Sequence, residues 1–168
     1  MLSSLNPLEH PVCLTAPLWN TAHSAWHWHK PFAMFLVDIL RPGTIVDLGA
    51  GHGDSYCAFC QAVKGLDTDT RCYAVDTWED DVGAQAFSSL KAHHDPLYGA
   101  FSELIRCAPD EALRQFNDGS VGLLHIGKIQ SYEAVRHAFE AWLPKMSRSG
   151  AVLLHGINLM QDGSGACK

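Results

Sequence analysis

Positive charge is scarce in this sequence, and no cluster of it stands out. Lys and Arg number 12 against 18 Asp and Glu, giving a net charge of −6 with His neutral. A protein that holds nucleic acid through a row of phosphate contacts needs the opposite balance, so no nucleic-acid partner is expected. Long apolar runs are missing as well. The longest, Phe32 to Leu40, is interrupted by Asp38 and is too short to cross a bilayer, so no membrane partner is expected. Residues 1–11 lack the charged start and apolar middle of an export signal, and a cytoplasmic location is the default expectation. There is no internal repeat and no low-complexity segment. Charged residues make up only 18% and hydrophobic residues 47%, which excludes a disordered chain. At 168 residues the expectation is one domain over 1–168, with an irregular lead-in at 1–23 and a tail at 159–168.

Cysteine is present six times, at 13, 57, 60, 72, 107 and 167. Without an export signal, free thiols are the better reading. Cys57 and Cys60 form a C-x-x-C, but no second pair follows at zinc-site spacing. On a helix the two share a face, which favours core packing over a redox or metal role.

The order of patterns is alternating. Residues 24–40 recur helically, broken early by Pro31 and ended by Arg41-Pro42-Gly43. A buried-strand pattern at 44–48 runs into glycines, and a helix over 55–65 is expected to stop at Gly65. Strands are expected at 72–77, 102–107, 121–126 and 151–157. Helices are expected within 80–95, at 109–116 and at 131–146. This alternation predicts an α/β fold with a mostly parallel sheet and helices on both faces.

The motif with the most chemical content is Val46-Asp47-Leu48-Gly49-Ala50-Gly51-His52-Gly53-Asp54. Glycines at 49, 51 and 53 let a backbone turn tightly after a strand and approach a ligand closely. The spacing is G-x-G-x-G rather than the dinucleotide G-x-G-x-x-G. Asp76 ends the next strand, where a carboxylate can accept from ribose hydroxyls. A plain tight turn, with Asp76 capping the loop before Trp78, is the bland alternative for each piece. Together they point to nucleotide binding.

A family resemblance extends along most of the chain. It rests on SAW (24–26), PFA (31–33), VDLG (46–49), GDSYCAFCQAV (53–63), DTRCYAVDTW (69–78), HDPLYGAFS (94–102), DEAL (110–113), LLHI (123–126), SYEAVRH (131–137), FEAWLPK (139–145) and VLLH (152–155). The chain resembles class I S-adenosylmethionine-dependent methyltransferases, and more narrowly the bacterial methyltransferase-like domains found alone or beside glycosyltransferase modules. The resemblance implies a Rossmann-like sheet of order 3-2-1-4-5 with an extra N-terminal helix, and S-adenosylmethionine as cofactor. It implies that Gly49, Gly51 and Gly53 shape the methionine side of the pocket, that Asp76 holds the ribose, and that Asp47 supplies the acidic position before the turn.

The family pattern I-D-G-x-H-x-Y-E after strand 4 is broken here. Gly127 stands at the expected Asp and Gln130 at the expected His. Ala138 and Gly156 replace two further Asp positions, and Asn158 remains. Hard cations need carboxylate oxygens, so no metal is expected. The losses read as a pocket emptied and relined, by divergence or by deliberate redesign. The family's last strands are absent from the pattern, which leaves strand 5 as an edge open to a homodimer.

Candidate catalytic residues follow from that reading. Lys128 lies just past strand 4, and a lysine desolvated in an apolar pocket becomes a neutral amine able to form a Schiff base with a carbonyl. A solvated loop lysine is its bland alternative. His125 and His155 sit near the ends of strands 4 and 5, where a neutral imidazole can act as general base. His27 and His29 would converge on a metal only if extended. Ser55, following Asp54 at a helix start, reads as serving that helix terminus. Three readings stand: a methyltransferase-fold protein that binds S-adenosylmethionine or its product, a relined pocket using Lys128 for retro-aldol-type chemistry, and a binding or interaction domain without catalysis; the expected partner is a small-molecule substrate.

Overall fold

A computed structural model describes residues 6–22, 24–127 and 131–155. Five parallel strands form one sheet in the order β3-β2-β1-β4-β5. They are β1 (Thr44–Leu48), β2 (Arg71–Asp76), β3 (Ser102–Arg106), β4 (Val121–Ile126) and β5 (Met146–Leu154). The helices are α1 (Lys30–Leu40), α2 (Asp54–Leu66), α3 (Asp81–Tyr98), the short α4 (Pro109–Ala112) and α5 (Tyr132–Trp142). The order and the helix-covered faces are those expected of a Rossmann-like sheet.

Side-chain alternation along the strands divides the core in two. Ile45, Ala74 and Leu123 pack with Ala33, Met34, Phe59 and Leu90 of α1, α2 and α3. Val46, Val75 and Leu124 face the other way, against Trp142 and Ala138 of α5. By the same alternation Asp47 and His125, register partners across β1 and β4, share the α1–α2 face.

Several boundaries differ from the sequence reading. The helix expected over 24–40 starts at Lys30, with Pro31 in its first turn, where a missing N–H costs nothing. Gly65 does not stop α2. The helix runs to Leu66 and closes on Asp67 in the left-handed region. Residues 80–95 are not helix plus loop: Asp80 caps one 18-residue helix, α3, that begins at Asp81. Its buried residues Ala86, Leu90, His94 and Tyr98 recur every four positions, a stripe too narrow to dominate a polar segment. Pro144 ends the helix expected to reach Met146, and β5 begins at Met146 rather than at 151. Register slips between Val121 and Leu123 absorb the extra residues.

Candidate functional site

The turn after β1 is built from three left-handed glycines, with φ of 75° at Gly49, 53° at Gly51 and 83° at Gly53. A side chain at 53 is disfavoured twice, by the positive φ and because its Cβ would collide with a Leu90 methyl on α3. Three bonds then hold the turn against the β2–α3 loop. The Gly51 N–H donates to Asp76 at 2.8 Å, the Trp78 indole Nε1 donates to the Gly51 carbonyl at 2.8 Å, and the Trp78 N–H donates to the other Asp76 oxygen at 3.3 Å. Trp78 holds a φ of 46°, rare for a bulky residue, and is buried against Phe87. Arg106 donates to the carbonyls of Thr77 and Trp78, which fixes the loop from β3. A cavity of about 250 Å³ opens here, lined among others by Gly51, His52, Asp76, Trp78 and Glu79.

The lead-in is tied to the same turn. Trp19 Nε1 donates to the His52 carbonyl at 2.8 Å. Lys30, fully buried, gives its three protons to the Trp19 carbonyl, Asn20 Oδ1 and Asp54 Oδ1 at 2.6–2.7 Å. Asp54 also accepts from the Thr21 N–H and hydroxyl. Sequence reasoning missed this lock. Its signal was a lysine opening an otherwise apolar helix, with an aspartate directly after the glycine turn.

Asp47 and His125 lie one layer below. Asp47 is wholly buried, and its two oxygens accept from Ser55 Oγ at 2.6 Å and His125 Nδ1 at 2.7 Å. Ser55 therefore serves Asp47 and not the helix terminus, which has Gly53 as its N-cap and no side-chain cap. His125 is 1% exposed, and its Nε2 has no hydrogen-bond partner among the described residues. Trp26 stands edge-on to it at 4.8 Å between ring centroids, and His155 lies 6.2 Å away. Burial pushes the His155 imidazole below its ordinary pKa, with repulsion from His125 and His29 adding to the effect. The structure thus brings Asp47, His125 and His155 into one cluster and Gly49, Gly51, Gly53 and Asp76 into another.

Two expectations need revision. The position of Gly127 is not empty, because a Cβ there would lie 2.7 Å from the His125 ring; the imidazole occupies that space. Ala138 does not line the mouth but belongs to the apolar cluster of Leu48, Ile126 and Trp142. Lys128, Gln130, Gly156 and Asn158 lie outside the described residues. Among the described residues no group of three or more His, Cys, Asp or Glu is placed to hold a metal ion. His27 and His29 occupy a turn rather than an extended segment. Cys57 and Cys60 are buried in α2 as free thiols, and burial pushes the Cys57 thiol up, against redox reactivity.

Residues 46–157 match the sequence profile of a family described as "Methyltransferase domain". The chain belongs to this family. It is similar to an uncharacterized protein, y4gI, of Sinorhizobium fredii, with 42% identity over 158 residues. That match covers 92% of this chain but only 17% of the relative's length. Among solved structures it resembles the S-adenosylhomocysteine-bound methyltransferase PaMTH1 of Podospora anserina, at 15% identity and a TM-score of 0.66, covering 90% of this chain and 62% of that one. It also resembles cofactor-bound Rv0187 from MTB, at 14% identity and a TM-score of 0.64, covering 99% and 75%. These two likenesses concern the fold. Among the described residues no helix of this methyltransferase domain is long and apolar enough to cross a membrane.

Proposed function

We propose that this domain binds S-adenosylmethionine over the carboxyl ends of β1 and β2 and transfers its methyl group to a small-molecule acceptor. The observation that carries the reading is the bond between Asp76 and the Gly51 N–H. It holds a carboxylate with spare acceptor capacity beside a cavity that Gly51, His52, Trp78 and Glu79 also line. Each carboxylate oxygen has two lone pairs, so accepting from Gly51 and Trp78 leaves room for ribose hydroxyls. Asp76 and Glu79 give the cavity a negative lining suited to a ligand carrying a sulfonium and an ammonium. When bound, the cofactor supplies an electrophilic methyl. The chain itself supplies a turn already fixed by Trp78, Arg106 and Trp19, so little ordering remains to be done on binding.

Calorimetric titration with S-adenosylmethionine and S-adenosylhomocysteine tests this. Micromolar binding that is lost in Asp76→Ala supports the reading. Absence of binding to both compounds would end it. The family match supports a methyltransferase-like role for the domain.

A further inference from the structure

Two consecutive carbonyls of the glycine turn are each held by an indole N–H. Trp78 holds that of Gly51 from the β2–α3 loop, and Trp19 holds that of His52 from the lead-in, both at 2.8 Å. The peptide joining His52 to Gly53 is pinned at its other end as well, because the Gly53 N–H donates to the Ala50 carbonyl at 2.8 Å. Trp78 is buried, whereas Trp19 is only half-buried and depends on its own partners for its place. Its ring lies against His93 of α3, 4.6 Å between centroids, and its carbonyl accepts from the Lys30 ammonium at 2.6 Å. Gln61 of α2 braces the preceding residues, accepting from the Leu18 N–H and donating to the Ala16 carbonyl.

A fully buried charge gives up its hydration, and a buried ion pair is often no more stable than apolar side chains of the same volume. Stability alone therefore does not account for Lys30. An ammonium supplies what an apolar side chain lacks, three donors on one atom. They collect the Trp19 carbonyl, Asn20 Oδ1 and Asp54 Oδ1, so the lead-in is fixed to the residue directly after the turn. The turn is thereby gripped on both sides of Gly53, at His52 through Trp19 and at Asp54 through the ion pair.

We propose that Lys30 is a positioning residue for ligand binding, acting through Trp19 to hold the His52 peptide in the shape that the cavity beside Gly51 and Asp76 presents to an adenosyl ligand. His52 lines that cavity, so a shift of its peptide changes the cavity wall directly. With Lys30 in place the turn is ordered before the ligand arrives, and little freedom is lost on binding. Without it the fold persists, the turn samples several shapes, and only the competent fraction binds. The identity of the ligand rests on the methyltransferase reading above; the wiring of Lys30 to the turn does not.

The test uses the intact chain, 15N-labelled. Solvent exchange is read at the Trp19 indole, the Gly53 amide and the Lys30 ammonium, alongside the S-adenosylhomocysteine dissociation constant and the urea midpoint. W19F leaves the buried pair in place and removes only the indole donor. Its Gly53 amide should exchange about tenfold faster and its dissociation constant should rise about tenfold, the scale of one lost hydrogen bond. Its Lys30 ammonium protons should also exchange faster, because a coupling between two groups acts in both directions. Its urea midpoint should stay close to that of the wild type, which separates positioning from stability. K30M/D54N removes both charges without stranding a carboxylate, and should release the Trp19 indole and weaken binding to the same degree. W19F with Gly53 and Lys30 exchange within about twofold of wild type would overturn the proposal, whether or not K30M/D54N folds. So would a K30M/D54N protein whose Trp19 indole stays protected. Failure of the wild type to bind S-adenosylhomocysteine removes the methyltransferase reading alone, and the exchange rates still decide whether Lys30 shapes the turn.

Discussion

Gly53 answers to two constraints at once, a φ of +83° and a Leu90 methyl where its Cβ would stand. Gly53→Ala is therefore expected to lose about 1–2 kcal/mol for the left-handed backbone alone, and more from displacing Leu90, by urea unfolding. Lys30 is a sharper case. Lys30→Ala strands the Asp54 carboxylate in the core, and loss of one partner of a buried pair typically costs about 3–5 kcal/mol. The same measurement checks it, and a loss under about 1 kcal/mol would mean that water reaches Asp54 once the lysine is gone. Titration of two histidines gives a pH prediction. His155 and His93 both have imidazoles pushed below 6.5, chiefly by burial. The unfolded chain then binds more protons than the folded one, so their contribution is present above pH 6.5 and is lost as pH falls through the folded values. His137, raised by its surface bond to Asp110, acts in the opposite sense but is exposed and screened. Urea midpoints should fall between about pH 7 and about pH 5, and His155→Gln should flatten the slope.

At the scale of elements, β4 and its following turn invite the most direct manipulation. Gly127→Asp would restore the carboxylate that the family resemblance implies, but its Cβ would meet the His125 ring. The expected outcome is a rotated imidazole, a broken Asp47 bond and a stability loss of about 1–3 kcal/mol from overpacking, read by thermal unfolding and by the His125 NMR signals. Unchanged His125 signals would show that the backbone yields instead. The elements themselves were largely legible, because alternating strands and helices with glycine and proline punctuation encode this topology locally. Less legible was whatever depends on contacts distant in sequence. Ser55 could not be assigned to Asp47 before β1 and α2 were folded onto each other. His125 could not be seen to fill the place at Gly127, since strand neighbours two apart share a face only once the turn is set. Lys30 by itself does not reveal its role in the sequence, because its partners Trp19, Asn20 and Asp54 meet it only in the folded chain. α3 hid its length because Pro96 reads as a helix breaker, yet it sits near the helix end, where its missing N–H forfeits a single bond to the Ala92 carbonyl and only two residues follow it.

For the whole molecule, the cavity beside the glycine turn makes stability and ligand linked quantities. If S-adenosylhomocysteine binds only the folded chain, a hundredfold excess over its dissociation constant adds about 2.7 kcal/mol. The thermal midpoint should then climb with ligand concentration, and Asp76→Ala should abolish the climb. Among the described residues β3 and β5 are the outer strands, and β5 carries a part-exposed Leu154. The central position of β1 has a consequence for how the chain is made. Its partner on one side, β2, follows within a few tens of residues, but its partner on the other is β4, and the Asp47–His125 bond spans 78 positions. During synthesis β1 therefore waits with an open edge while α3, β3 and α4 emerge from the ribosome, and long-range pairings of this kind slow folding. A nascent chain stalled before residue 121 should remain protease-sensitive and bind chaperones. One stalled after β4 has cleared the exit tunnel should acquire protection in a single step.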